Sequence, residues 1–171
     1  MTAQLRGGRM VTVRPIRPED KDGLHAAVLS LSDDSRYTRF MAAKRELSSQ
    51  TLHAATNPKP AQEFALVAVD ESGSIVGGAR YASAPDSDSC EFAITIADDW
   101  QGIGLARHLM EILMRTARRA GFETMEGYVL AGNAAMRGLA KRLGFDDKSS
   151  PDDPGVRLVT RKLQPPAVAA P

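Results

Sequence analysis

An α+β fold organised around a mixed β-sheet is the architecture this sequence predicts, on three observations. Three β-prone runs follow one another with only turn clusters between them, the pattern of antiparallel neighbours. After them the periodicity alternates between helix and strand, which calls for a crossover connection and one parallel pairing. The chain has 171 residues, 43% hydrophobic and 25% charged, which suits one domain with a real apolar core.

The elements follow in order. Residues 1–9 carry no periodicity and are expected to be a flexible N-terminus, ahead of a single domain over 10–163. Val11 and Val13 alternate with Thr12 and Arg14 as a short first strand ended by Pro15. Pro18-Glu19-Asp20 supplies a helix start, with proline in the first turn and acids at the positive end of the dipole. Leu24, Ala27, Val28 and Leu31 give that helix its buried stripe. Ser32-Asp33-Asp34 reads as the cap of a further helical stretch over Ser35–Phe40. Another spans Ser48–Ala55 and stops before the prolines at 58 and 60. Phe64–Val69 and Ile75–Ala82 form a hairpin around Asp70–Ser74, and Cys90–Ala97 is the next strand. Ile103, Ala106, Leu109, Leu113 and Ala117 recur at helical spacing up to Gly121. Thr124–Leu130 reads as a strand, Asn133 caps a helix closed by Gly144, and Val156–Leu163 is the last strand. Ser149–Gly155 is expected to be loop and 164–171 a disordered tail.

Composition narrows the function classes. Lys plus Arg total 22 against 21 Asp plus Glu, a net charge of +1, so a strongly basic nucleic-acid binder is disfavoured. One cysteine, Cys90, allows no internal disulfide and no multi-cysteine metal site. The three histidines lack metal-binding spacing, and no metal is expected. No run approaches the ~18 apolar residues of a membrane span, and the start lacks a signal peptide's apolar stretch. The expectation is a cytoplasmic protein with neither nucleic-acid nor membrane partners; its oligomeric state, a homodimer included, is not written in the sequence.

The informative segment is Asp98-Asp-Trp-Gln-Gly-Ile-Gly-Leu-Ala-Arg107. Gly102 and Gly104 fall between a strand and a helix N-terminus, where small residues let a ligand approach backbone N–H groups at the positive end of the dipole. That setting suits a pyrophosphate. A Walker A loop needs Gly-Lys-Ser/Thr, which is absent. A dinucleotide fingerprint needs a small residue where Arg107 stands, and it follows the first strand of its domain, whereas this loop follows about the fourth. A glycine-softened helix cap with no ligand is the plainer alternative.

Read from Gln101, the segment is Gln101-x-x-Gly104-x-Ala106. It resembles the acyl-CoA-binding signature of the GNAT superfamily of N-acyltransferases, and Asn133 through Gly144-Phe145 resembles the second recurrent block of that family. Arg14-x-Ile-Arg-Pro-Glu-Asp20, Leu31-Ser-x-x-Ser-Arg-Tyr37, and Glu91-Phe-Ala93 with Ala97-Asp-Asp-Trp-Gln-Gly-x-Gly104 are similar to the GNAT domain of bacterial protein lysine acetyltransferases. The resemblance covers about residues 10–163. It implies a twisted mixed sheet of six to seven strands flanked by helices, whose fourth and fifth strands splay apart. It also implies acetyl-CoA as co-substrate: its pantetheine against Ile94, Thr95 and Ile96, and its pyrophosphate on Gln101, Gly102, Ile103, Gly104, Leu105, Ala106 and Arg107. Asn133 would help hold the cofactor arm, besides serving as an N-cap.

The implied activity is transfer of an acetyl group to a primary amine, a protein lysine or a small molecule. A lysine amine titrates near ~10.4, so a base must take its proton. Glu91 matches the glutamate of the lysine-acetyltransferase subgroup in that role; a solvated strand-end acid is the plainer reading. A backbone N–H near Ile94–Ile96 would polarise the thioester carbonyl. The family's general-acid tyrosine falls on Ala140 here, a departure that leaves a non-catalytic acyl-CoA-binding or sensing module as the competing reading. Tyr37, Tyr81 and Tyr128 are more readily packing residues. Cys90, beside Glu91 but with no histidine near it in sequence, is a poor nucleophile. Trp100 is expected to pack under the pyrophosphate loop. The loops at Ser83–Ser89 and Asp146–Gly155, with the N-terminal helices, would build the acceptor cleft.

Overall fold

The computed structural model describes residues 1–32 and 48–164. The helical stretch expected over Ser35–Phe40, Tyr37 and the tail from residue 165 lie outside the described residues.

Eight strands form one sheet, β1 (Thr2–Gln4), β2 (Met10–Pro15), β3 (Glu63–Val69), β4 (Ile75–Ala82), β5 (Ser89–Ile96), β6 (Thr124–Leu130), β7 (Asp146–Ser149) and β8 (Val156–Lys162). Their spatial order is β1-β2-β3-β4-β5-β6-β8-β7. All neighbours are antiparallel except β5 and β6, which run parallel. The helices are α1 (Lys21–Leu29), α2 (Ser49–Thr56), α3 (Leu105–Arg119) and α4 (Ala134–Arg142).

The α+β mixed sheet is therefore as the sequence indicates, with two strands more than its apolar runs show. Residues 1–9, expected to be flexible, instead carry β1, which pairs Thr2 with Thr12 and Gln4 with Met10. Met1 adds its N-terminal ammonium to Val13 O at 3.0 Å. The second addition, β7, turns Asp146–Ser149, expected within a loop, into an edge strand paired with β8. Asp147 fixes it there: Arg137 of α4 donates to one carboxylate oxygen at 2.8 Å and Arg157 of β8 to the other.

The faces of the sheet divide by the period of two. Leu66, Ala79, Tyr81, Cys90, Phe92 and Met125 point to one side, where Leu105, Leu109, Met110, Leu113 and Ala117 of α3 lie fully buried against them. Gly77 allows that approach, since a Cβ there would stand 3.1 Å from Leu105 Cδ2. Helices α1 and α2 pack against each other, and α1 also reaches β4. Arg14 and Asp20, from the first stretch of family resemblance, make a bidentate pair at 2.7 Å for both contacts. Asp20 also accepts from Arg17 N–H, and its carboxyl titrates below the usual range, with the Arg14 hydrogen bonds the main cause.

Candidate active site

The parallel ladder between β5 and β6 is short. It joins Ser89 to Thr124, Cys90 to Met125 and Glu91 to Glu126, and ends there. Beyond it β5 stays paired with β4 as far as Ile96, while β6 stays paired with β8 as far as Leu130. The two strands therefore splay, as the resemblance implies for strands four and five; β1 moves the count up by one. A Cβ on Gly127 would stand only 2.4 Å from Phe92 Cε1, so the Phe92 ring lies over the glycine just beyond the last rung.

An open cleft of about 670 Å³ occupies the gap. Its walls include Glu91, Phe92, Ile94, Tyr128, Asn133 and Met136, with Ser150, Asp152 and Asp153 from the segment between β7 and β8. Of the loops expected to shape an acceptor cleft, the one before β8 does line it, whereas no residue of 83–89 is among its lining residues.

At the end of β5 the chain turns through a 3₁₀ segment, Asp98–Trp100, and enters α3. Gly102 and Gly104 have φ of 77° and 96°, and a Cβ on either would meet nothing within 4 Å. Here glycine meets both needs, a left-handed backbone and an open approach. Helix α3 has no side-chain cap and no acid in its first turn, in contrast to α2, capped by Ser48, and α4, capped by Asn133. Its first-turn N–H groups thus face the glycine loop without a side-chain acceptor, at the positive end of a fifteen-residue helix. These features fit an acyl-CoA pyrophosphate.

The individual side chains divide in what they can do. Gln101 turns back, donating from Nε2 to Ile96 O at 3.1 Å, and so ties the loop to the end of β5. Leu105 is buried in the core and Ile103 packs against it, leaving both only backbone to offer a ligand. Arg107 is exposed and paired with Glu111 at 3.0 Å. Ile94 lines the cleft, whereas Thr95 lines a separate apolar cavity beneath α1 and α2; Thr95 and Ile96 would act through the open backbone edge of β5. Asn133 lines the cleft, and its Oδ1 accepts from Met136 N–H at 3.1 Å, so capping engages the amide oxygen and not the nitrogen.

Glu91 stands at the last rung, exposed, with Ala82 and Glu126 as register neighbours on the same face. Cys90 points the other way into the core, and burial, then Glu126, push its thiol up to about 12. Ala140 is 1% exposed, so its position is enclosed. Tyr81 is a packing residue, its ring 5.3 Å from that of Phe122. Tyr128, expected to be a packing residue, is instead half exposed in the cleft wall, on the same face of the sheet as Glu91 and Glu126. Arg80 is the site feature sequence reasoning missed: it lines the cleft and pairs with Glu63 at 3.2 Å. The signal was its position on β4 one residue from Tyr81, readable only once the register of β4 against β5 is known.

Residues 10–146 match the family described as the acetyltransferase (GNAT) domain. The chain belongs to this family. A curated acetyltransferase of Pseudomonas aeruginosa is 41% identical over 152 residues, covering 87% of this chain and 82% of that protein. The acetyltransferase Pat of Mycolicibacterium smegmatis is 28% identical over 143 residues; the match covers 82% of this chain but only 43% of Pat. Among solved structures, the GNAT domain of S. lividans PAT superposes with a TM-score of 0.87 at 27% identity, over 95% of this chain and 96% of that one. The GNAT fold and an acetyltransferase family thus stand on sequence and structure together. Among the described residues no group of side chains has the make-up of a metal site, and no helix is long and apolar enough to cross a membrane.

Proposed function

We propose that this GNAT protein transfers the acetyl group of acetyl-CoA to a primary amine by direct attack, with Glu91 as general base. The observation that carries the reading is the ladder break after Glu91, which opens a cleft lined by that carboxylate on the same strand that leads into an uncapped, glycine-led helix. Acetyl-CoA would supply the electrophile, an acetyl thioester. The chain's own groups then have separable tasks. N–H groups from Gly102 to Arg107 receive the pyrophosphate. The unpaired edge of β5 over Ile94–Ile96 aligns the arm and presents an N–H to the thioester carbonyl. Asn133 steadies the arm from α4. Glu91 takes a proton from the acceptor ammonium, directly or through water, so that the neutral amine attacks the thioester carbonyl.

The acceptor is a protein lysine or a small amine. Asp152 and Asp153 share the cleft with Glu91, while Arg80 is its one basic lining residue among those described. That balance favours a cationic acceptor. Ala140 offers no acid, but a thiol titrates near ~8.5, so the CoA thiolate can leave unprotonated.

The deciding experiment follows acetyl-CoA turnover with a panel of amines and lysine peptides, in the unaltered protein and in Glu91→Gln. Glu91→Gln should keep CoA affinity and lose about 10²–10⁴-fold in turnover, regained in part at high pH where more amine is neutral. Equal pH–rate profiles remove Glu91 as the base. Tight CoA binding without turnover of any amine favours the sensing module instead.

A further inference from the structure

The segment 1–10 does not end at the sheet edge; it reaches across to the glycine loop. Leu5 is buried in the main core, and its N–H donates to Arg9 O at 2.8 Å, closing a tight turn over Arg6–Gly8. From that turn Arg6 N–H donates to Ile103 O at 3.2 Å. On the other flank of the loop the Arg9 guanidinium lies 3.6 Å over the centre of the Trp100 ring, and its Nη1 donates to Asp99 O. Trp100 is buried beneath it. The stretch Gln101–Gly104 is thus held at two points, at Asp99–Trp100 just before it and at Ile103 between its two glycines.

Two glycines with left-handed backbone make this loop entropically expensive to hold in one shape. No side chain caps the helix behind it. A loop that must present several N–H groups to one anion gains affinity from being held in that shape beforehand. We propose that the N-terminal segment is a clamp that pre-organises the phosphate loop, with Arg9 as its positioning residue. This rests on the acyl-CoA reading of the loop. Arg9 acts through Trp100 and Asp99 and need not touch the ligand.

The test compares Arg9→Met, which keeps the aliphatic body and removes the cation, with Arg9→Lys, which restores a cation over the ring but not the forked donor. Two readouts are taken: hydrogen exchange of the amides at 98–104 without ligand, and the affinity and turnover parameters for acetyl-CoA. The expected result for Arg9→Met is faster exchange confined to 98–104 and the neighbouring N-terminal turn. Its Kd and KM for the CoA ligand should rise about three- to tenfold with kcat unchanged, and Arg9→Lys should recover part of both. Unchanged exchange at 98–104 overturns the clamp whatever the protein binds. Faster exchange with unchanged CoA affinity overturns the pre-organisation claim. Absence of CoA binding by the unaltered chain, with exchange still faster in Arg9→Met, overturns the acyl-CoA reading and leaves Arg9 as the holder of a loop with another ligand. A general loss of protection, not recovered by Arg9→Lys, identifies a purely structural role and overturns the proposal.

Discussion

The Phe92 ring fills the space directly over Gly127, where a Cβ would stand 2.4 Å from its edge. The same ring meets Phe145 edge-on at a centroid distance of 5.5 Å. It therefore acts as a spacer between β5 and the β6 side of the sheet, at the level where the ladder between them stops. Gly127→Ala should overpack this contact and cost about 1–3 kcal/mol, a fall in Tm of roughly 2–4 °C per kcal/mol for a chain of this size. Phe92→Leu in the same chain should recover part of the loss. Thermal unfolding of the two variants decides it, and an unchanged Tm in Gly127→Ala would show that the ring swings aside freely.

Gly104 carries two demands that substitution can separate. Gly104→Ala should cost about 1–2 kcal/mol, because its φ of 96° is strained for any residue with a Cβ. The space around it is open, so the CoA-induced rise in Tm should survive. Gly104→Asp should bear a similar strain and lose the CoA shift as well, since a carboxylate would stand where the pyrophosphate belongs. Thermal shift with and without CoA distinguishes the two; a full shift in Gly104→Asp removes the phosphate-loop assignment.

Asp20 and Asp147 give the protein a defined acid sensitivity. Both carboxyls titrate below their ordinary value of 3.8 in the folded chain, Asp20 through Arg14 and Asp147 through Arg137 and then Arg157. A depressed folded pKa contributes stability that is complete above the unfolded pKa and is lost as pH falls through the folded one. Unfolding free energy should therefore drop below about pH 4. Asp20→Asn should lose about 1–3 kcal/mol at pH 7 and show a shallower acid limb than the parent. Denaturant titrations at several pH values read both effects.

Cys90 should be silent chemically. With its thiol raised to about 12 and 2% of its surface exposed, it should resist alkylation at pH 8 until the protein is unfolded. Cys90→Ala should retain turnover. Rapid labelling of the native protein, or a large loss of activity in that variant, would reopen a covalent route.

What the sequence revealed and what it hid follow from the range of the interactions involved. The glycine loop, Asn133 and the hairpin around Asp70 are local devices, and their residues announce them; Asp70 Oδ1 does accept from the N–H groups of Ser72 and Ser74. Strand β1 is three polar or small residues long, too short for an alternation to register, and exists because β2 offers it an edge. Strand β7 reads Asp-Asp-Lys-Ser, a loop by composition, and is held by two arginines each ten positions from Asp147. At the site, the placing of Glu91 beside the gap depends on where the ladder breaks, which the family resemblance suggested and local pattern could not. Arg80 entered only with the register of β4 against β5, and Tyr128, read as a packing residue, became a cleft residue only with the register of β6.

The three-pair seam between β5 and β6 divides the sheet into two panels, one of five strands and one of three. This junction is the one parallel ladder of the sheet, and beyond its third pair the two strands are spaced by side chains, Phe92 over Gly127, and not by main-chain hydrogen bonds. The width of the cleft is accordingly a side-chain property: it answers to the volume at positions 92 and 127 without any ladder having to re-register. Whatever seats itself across the opening touches both panels at once, and so joins two strands beyond the point where their own ladder has ended.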